Sequence, residues 1–171
     1  LLLVKNIARN NLQERIHPHM LAVAGKAGPR KLFLDQGNNT GGHSINQKPV
    51  GSSEYITVEC VTLPQVLDEV LGAEKPERCM VKIDVEGAEG EILLNTPPGY
   101  LDRIDAMIVE FHRYGQYKEV REYLERNGFV FEYCAGDKEQ GGTCWFVKAG
   151  EVAPYKQYLL GMIPEGREAA G

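Results

Sequence analysis

Two apolar runs in this 171-residue chain each stop at a carboxylate. Met80-Val81-Lys82-Ile83 ends in Asp84, with Glu86 two residues further on. Met107-Ile108-Val109 ends in Glu110, with His112 two residues further on. In extended backbone, residues two apart share a face, so Asp84 goes with Glu86 and Glu110 with His112. Neighbouring parallel strands lie about 5 Å apart. If these runs are neighbours, four titratable groups converge on one crevice. Clustered acids raise one another's pKa, which suits one of them to act as a base near neutrality. Asp84, Glu86, Glu110 and His112 are therefore the catalytic candidates. Either acid alone reads equally well as a helix cap or a solvated group, so the inference rests on their convergence.

The other polar residues carry less. Lys82 reads as a salt-bridge partner within its strand. Glu89 and Glu91 fall in the first turn of a helix, where negative charge suits the macrodipole, and read as surface residues. His17 and His19 flank Pro18 and read as surface groups, while His43 belongs to the Gly41-Gly42-His43-Ser44 loop. The polar stretch 36–44 lacks a Walker pattern, and no GxGxxG occurs anywhere. Ser44 has no nucleophile-elbow context, which argues against an α/β-hydrolase.

The elements that must hold these groups follow from periodicity. Leu1, Val4, Ala8 and Leu12, with Ile7 between them, form a helical stripe that ends near Asn10-Asn11. Arg15 to Ala24 reads as a strand that starts late because of Pro18. Gly25 to Pro29 is a turn, and Lys31–Asp35 and Tyr55–Cys60 are strands separated by the polar loop. Thr62 to Leu71 is a helix with an apolar face at Leu63, Val66, Leu67, Val70 and Leu71. Thr62 and Gln65 fit a capping box, and Pro64 lies in the first turn. Cys79–Asp84 is a strand, followed by a glycine turn at Gly87 and a helix. Asp105–Phe111 is a second buried strand. Tyr117–Asn127 is a helix stopped by Gly128. Phe129–Cys134 and Thr143–Lys148 form an antiparallel hairpin. Alternating strands and helices from residue 1 to 134 predict an α/β fold with a mostly parallel sheet covered on both faces. In such a sheet, ligands bind outside the carboxyl ends of the strands, where the four candidates lie. Residues 1–150 form this domain, and 151–171 is a C-terminal tail.

Composition narrows the setting. The net charge is -5 with acids and bases interspersed, so no basic footprint exists for nucleic acid. No apolar run is long enough to span a membrane, and no signal peptide is visible. Cys60, Cys79, Cys134 and Cys144 form no CxxC pair and read as reduced packing thiols of a cytoplasmic protein, although Cys134 and Cys144 flank the hairpin loop. The chain opens on Leu-Leu-Leu-Val with its first periodic segment already running, which reads as a fragment.

The run Val81-Lys82-Ile83-Asp84-Val85-Glu86-Gly87-Ala88-Glu89 closely resembles the signature of FkbM-type methyltransferases. Other segments resemble the family in order: residues 6–12, Ala22-Val23-Ala24-Gly25, the loop 39–44, Thr62–Leu67 and Ile108–His112. The resemblance covers roughly 1 to 148. It implies a Rossmann-like class I methyltransferase sheet, S-adenosylmethionine as cofactor, and O-methylation of a hydroxyl on a sugar, glycan or polyketide-like small-molecule acceptor. It implies cofactor contacts at Ala22, Val23, Ser44 and Asp84, and no metal. In such proteins a glycine-rich first strand–loop and an acid ending the second strand hold the cofactor, and both would lie before residue 1. The 171-residue piece alone is therefore expected to lack the first strands, to bind the cofactor poorly and to be inactive. Two other readings stand beside this one. One is a non-catalytic Rossmann-like binding domain. The other is a metal-dependent hydrolase using Asp84, Glu86, Glu110 and His112 as ligands.

Overall fold

The first helix, α1 (Leu2–Arg9), buries Ile7 and leaves Leu2, Leu3 and Val4 exposed. This computed structural model describes residues 2–35, 42–46, 54–72, 75–112, 116–137 and 141–151. The polar loop at 36–41 and the tail from 152 onward lie outside the described residues.

The segment after α1 forms far less strand than its apolar residues predict. Only Ala22–Val23 (β1) enters a ladder. Pro18 brings no N–H to a ladder, and Ile16, Met20 and Leu21 stay exposed. β2 (Gly28–Phe33) begins inside the predicted turn, with Gly28 at φ +119. β2 pairs antiparallel with β3 (Tyr55–Val61), which pairs parallel with β1, giving a three-stranded sheet in the order β1-β3-β2.

Helix α2 (Leu63–Leu71) starts as its sequence dictates. Thr62 Oγ1 accepts from the Gln65 N–H at 3.4 Å, and Gln65 Oε1 accepts from the Thr62 N–H at 2.8 Å. Such a cap contributes about 1 kcal/mol. Leu63 and Leu67 are buried, while Val70 remains exposed.

The second sheet carries the candidate site. It contains β4 (Met80–Ile83), β5 (Ala106–Glu110), β6 (Phe129–Asp137) and β7 (Gly141–Lys148) in the order β4-β5-β7-β6. Helices α3 (Glu89–Leu94) and α4 (Pro98–Leu101) lie between β4 and β5 in the chain. Helix α5 (Tyr117–Arg126) lies between β5 and β6. β4 and β5 are parallel neighbours in register from Met80↔Ala106 to Ile83↔Val109. That adjacency is what the site hypothesis required. The buried Asp105 fixes the start of the pair: its Oδ2 accepts from the Cys79 N–H at 2.7 Å, and its Oδ1 meets Lys75 Nζ at 2.7 Å. Leu93, Leu101, Ile104, Met107, Val120, Leu124 and Phe146 fill the core and are almost wholly enclosed. Tyr123 of α5 donates to the Thr96 carbonyl at 2.7 Å, tying α5 to the segment after α3.

The expectation of a mostly parallel sheet fails. Among the described residues, the pairings β1–β3 and β4–β5 are parallel, and β2–β3, β5–β7 and β6–β7 are antiparallel. Connection type accounts for the β2–β3 and β6–β7 pairings. Parallel neighbours need a crossover, usually a helix, and no helix among the described residues separates β2 from β3 or β6 from β7. The structure shows a mixed α/β architecture in two sheets, ordered β1-β3-β2 and β4-β5-β7-β6. The predicted C-terminal hairpin is present, with β6 at the sheet edge.

The cysteines also differ from the reduced-thiol reading. Cys134 and Cys144 are cross-strand partners in the hairpin and form a disulfide, while Cys60 and Cys79 are free and buried. No helix among the described residues is long and apolar enough to cross a membrane.

Candidate functional site

The site forms where β4 and β5 end side by side. β4 stops at Ile83, and the chain then turns sharply, with Glu86 at φ +52 and Gly87 at φ +100. Glycine adopts that conformation freely, whereas glutamate does so only when its surroundings hold it there. The buried Ser44 supplies part of that hold. Its hydroxyl donates to the Glu86 carbonyl at 2.5 Å, and Asn46 Nδ2 donates to the Gly87 carbonyl at 3.2 Å. Extended geometry therefore does not place Glu86 beside Asp84. The turn re-aims the Glu86 side chain toward β5.

His112 is the hub. Its Nδ1 lies 2.8 Å from Glu89 Oε1. Its Nε2 lies 3.3 Å from Glu86 Oε2 and 4.0 Å from Glu110 Oε1. Asp84, Glu110 and His112 each bring one donor atom to within 4.8 Å of the others. Lys82 pairs with Asp84 at 2.8 Å, as its place in the strand predicts. Burial pushes the His112 imidazole down, but the hydrogen bond to Glu89 and the charges of Glu89, Glu86 and Glu110 outweigh it. Its pKa lies above the ordinary histidine value.

The residue that sequence reasoning missed is Glu89. It is not a surface group at a helix start but a fully buried carboxylate. Its Oε1 also accepts from the Gly87 N–H at 3.0 Å, and its Oε2 has no hydrogen-bond partner among the described residues. One signal was available: Glu89 stands in a run of small residues, Gly87-Ala88-Glu89-Gly90, in which Ala88 and Gly90 are buried with it. Glu91 is likewise committed. It meets Arg30 Nη1 at 2.5 Å and accepts from the Gly25 N–H at 3.3 Å, beside a recess of about 370 Å³ lined by Gly25, Lys26, Ala27, Arg30 and Asn95. Gly25 belongs there because a Cβ would stand 2.6 Å from the Glu91 carbonyl oxygen.

The four residues expected to contact a cofactor are placed as follows. Ala22 and Val23 are half-buried in β1. The Ser44 hydroxyl is engaged with the β4 turn. Asp84 has a partly exposed carboxylate at the strand end. His17 and His19 fall in exposed segments, with His19 meeting Glu69 at 3.5 Å, and His43 Nδ1 accepts from the Asp35 N–H.

A mixed α/β fold with carboxylates and a histidine at the carboxyl ends of adjacent parallel strands is the architecture of a ligand-binding or catalytic α/β domain. The model of the methyltransferase FkbM domain family matches residues 2–131. The chain belongs to that family, which supports methyltransferase chemistry in general. No curated protein matches the chain, and no solved structure does.

Proposed function

We propose that the protein transfers a methyl group from S-adenosylmethionine to a hydroxyl of a small-molecule or glycan acceptor, of the sugar or polyketide-like class. The observation that supports this most is the gathering of Asp84, Glu86, Glu110 and His112 at the ends of β4 and β5, with His112 held by a buried carboxylate. The donor chemistry fits the cofactor. S-adenosylmethionine carries a sulfonium and an ammonium, and the crevice is rich in carboxylates. Asp84 would face the cationic end, and half-buried Ala22 and Val23 would offer apolar contact to the base. Ser44 would act by holding the β4 turn. When bound, the cofactor supplies the electrophilic methyl group.

The chain's own residues do the rest. Glu110 and His112 are the base candidates for the acceptor hydroxyl, and Glu89 fixes the imidazole so that Nε2 faces the crevice. Proton removal of this kind contributes about 10²–10⁴-fold, and holding the reactants in line adds to it. The test is alanine substitution at Asp84, Glu86, Glu110 and His112 in the full-length protein. Loss at Glu110 or His112 should appear in kcat, and loss at Asp84 in the KM for the cofactor. Full activity in all four variants would discard the assignment.

A further inference from the structure

We propose that Asp84, Glu110 and His112 form a divalent-cation site, with Glu89 as the residue that positions its histidine. The three side chains offer two carboxylate oxygens and one imidazole nitrogen, all within 4.8 Å of one another. Octahedral ligands about 2.1 Å from a small divalent ion stand about 3–4 Å apart. Rotation of the partly exposed Asp84 and Glu110 side chains can close that difference. Glu86 Oε2, 3.3 Å from His112 Nε2, is a fourth oxygen within reach.

Two further observations point to a cation. The first is orientation. A metal-binding histidine usually engages its other ring nitrogen with a carboxylate, which fixes its tautomer and aims the ligating nitrogen. Here Nδ1 is taken by Glu89, and Nε2 faces Glu86 and Glu110. Glu89 is fully buried, and its Oε2 has no hydrogen-bond partner among the described residues. Burying a carboxylate is costly unless something nearby is positively charged, and the group in contact with this one is His112, which carries positive charge when protonated or when a cation is bound at its other nitrogen. The second is charge. Asp84, Glu86, Glu89 and Glu110 bring four negative charges against the positive charge of Lys82, a formal excess of two with His112 protonated and three with it neutral. A divalent ion would remove most of it.

The donor set indicates the metal class. Carboxylate oxygens suit magnesium and manganese, and an imidazole nitrogen moves the preference toward manganese and its neighbours. Three protein donors leave coordination positions open to water or to an acceptor hydroxyl. Binding of the ion does not depend on the methyltransferase reading; with the ion bound, His112 and Glu110 are its ligands rather than the base, and polarisation of the acceptor hydroxyl by the ion, which would replace that base, rests on the methyltransferase reading.

Mn²⁺ is the probe. The full-length protein is titrated with Mn²⁺ alone and followed by electron paramagnetic resonance. The expected result is one saturable site, with spin-echo nitrogen modulation from a directly bound imidazole in the unaltered protein. Asp84→Asn and Glu110→Gln should each weaken binding at least 10-fold, and Glu89→Gln by about 10–100-fold. Glu14→Gln, at an exposed position far along the chain, should leave it unchanged. Absence of saturable binding, absence of nitrogen modulation, or equal affinity in all variants would overturn the site and leave only adventitious binding by exposed acids. Methyl transfer that proceeds without any Mn²⁺ binding would overturn the cation site alone. Mn²⁺ bound through His112 without methyl transfer would sustain the site and overturn the reading under Proposed function.

Discussion

Replacing Glu89 by alanine should destabilise the protein by about 3–5 kcal/mol, the range seen when one partner of a buried charged pair is removed. The carboxylate is fully buried, and its Oε1 serves two donors, the Gly87 N–H at 3.0 Å and His112 Nδ1 at 2.8 Å. Alanine leaves both without that acceptor, at about 1–3 kcal/mol each. The lost side-chain volume adds a cavity term. Relief of the buried charge offsets part of this, because Oε2 has no partner among the described residues. The surface-acid alternative, in which Glu89 only complements the helix dipole, allows about 0.3–1 kcal/mol. The two accounts therefore differ several-fold. Urea unfolding of the full-length protein, with the m-value checked for constancy, measures the difference. Asp84→Ala provides the comparison, since its partly exposed pair with Lys82 is worth at most about 1 kcal/mol. If Glu89→Ala and Asp84→Ala lower stability equally, the buried-hub account of His112 is refuted.

Other outcomes follow from the same geometry. His112 titrates above its ordinary value, so its contribution to stability is complete below the unfolded histidine pKa, near 6.5, and is lost as pH rises through the folded value. The stability gap between the unaltered protein and His112→Asn, measured with chelator present, should shrink as pH rises above that point. A gap that widens would contradict the carboxylate cage. Gly87→Ala should cost about 1–3 kcal/mol in thermal or chemical unfolding, because φ +100 is strained for a side chain; an unchanged midpoint would argue against the tight turn. Thiol counting on the denatured, unreduced protein should find Cys60 and Cys79 of these four and not Cys134 or Cys144. Four reactive thiols would contradict the disulfide.

The legible parts of the fold were those set by local chemistry. The capping box at Thr62, the strands ending at Asp84 and Glu110, and helix α5 ending before Gly128 all appear close to their predicted bounds. Strand pairing was less legible because it depends on partners distant in sequence. Nothing in Lys31–Phe33 or Tyr55–Cys60 reveals that β2 and β3 pair directly, and that pairing makes the sheet mixed. At the site, residue types and edge position were readable, but burial was not. Glu89 and Glu91 look alike beside one helix start. One lies fully enclosed against His112, and the other reaches Arg30 across the fold. Strict strand alternation also misplaced Glu86, whose left-handed backbone turns it to His112 instead.

The most direct test of the central claim is a crystal structure of the full-length protein bound to S-adenosylhomocysteine, the product of the proposed reaction. The account predicts the product's sulfur in the crevice bordered by Asp84, Glu110 and His112. A product seated elsewhere, for example in the recess beside Arg30 and Glu91, with the acid–histidine cluster facing only solvent, would contradict it.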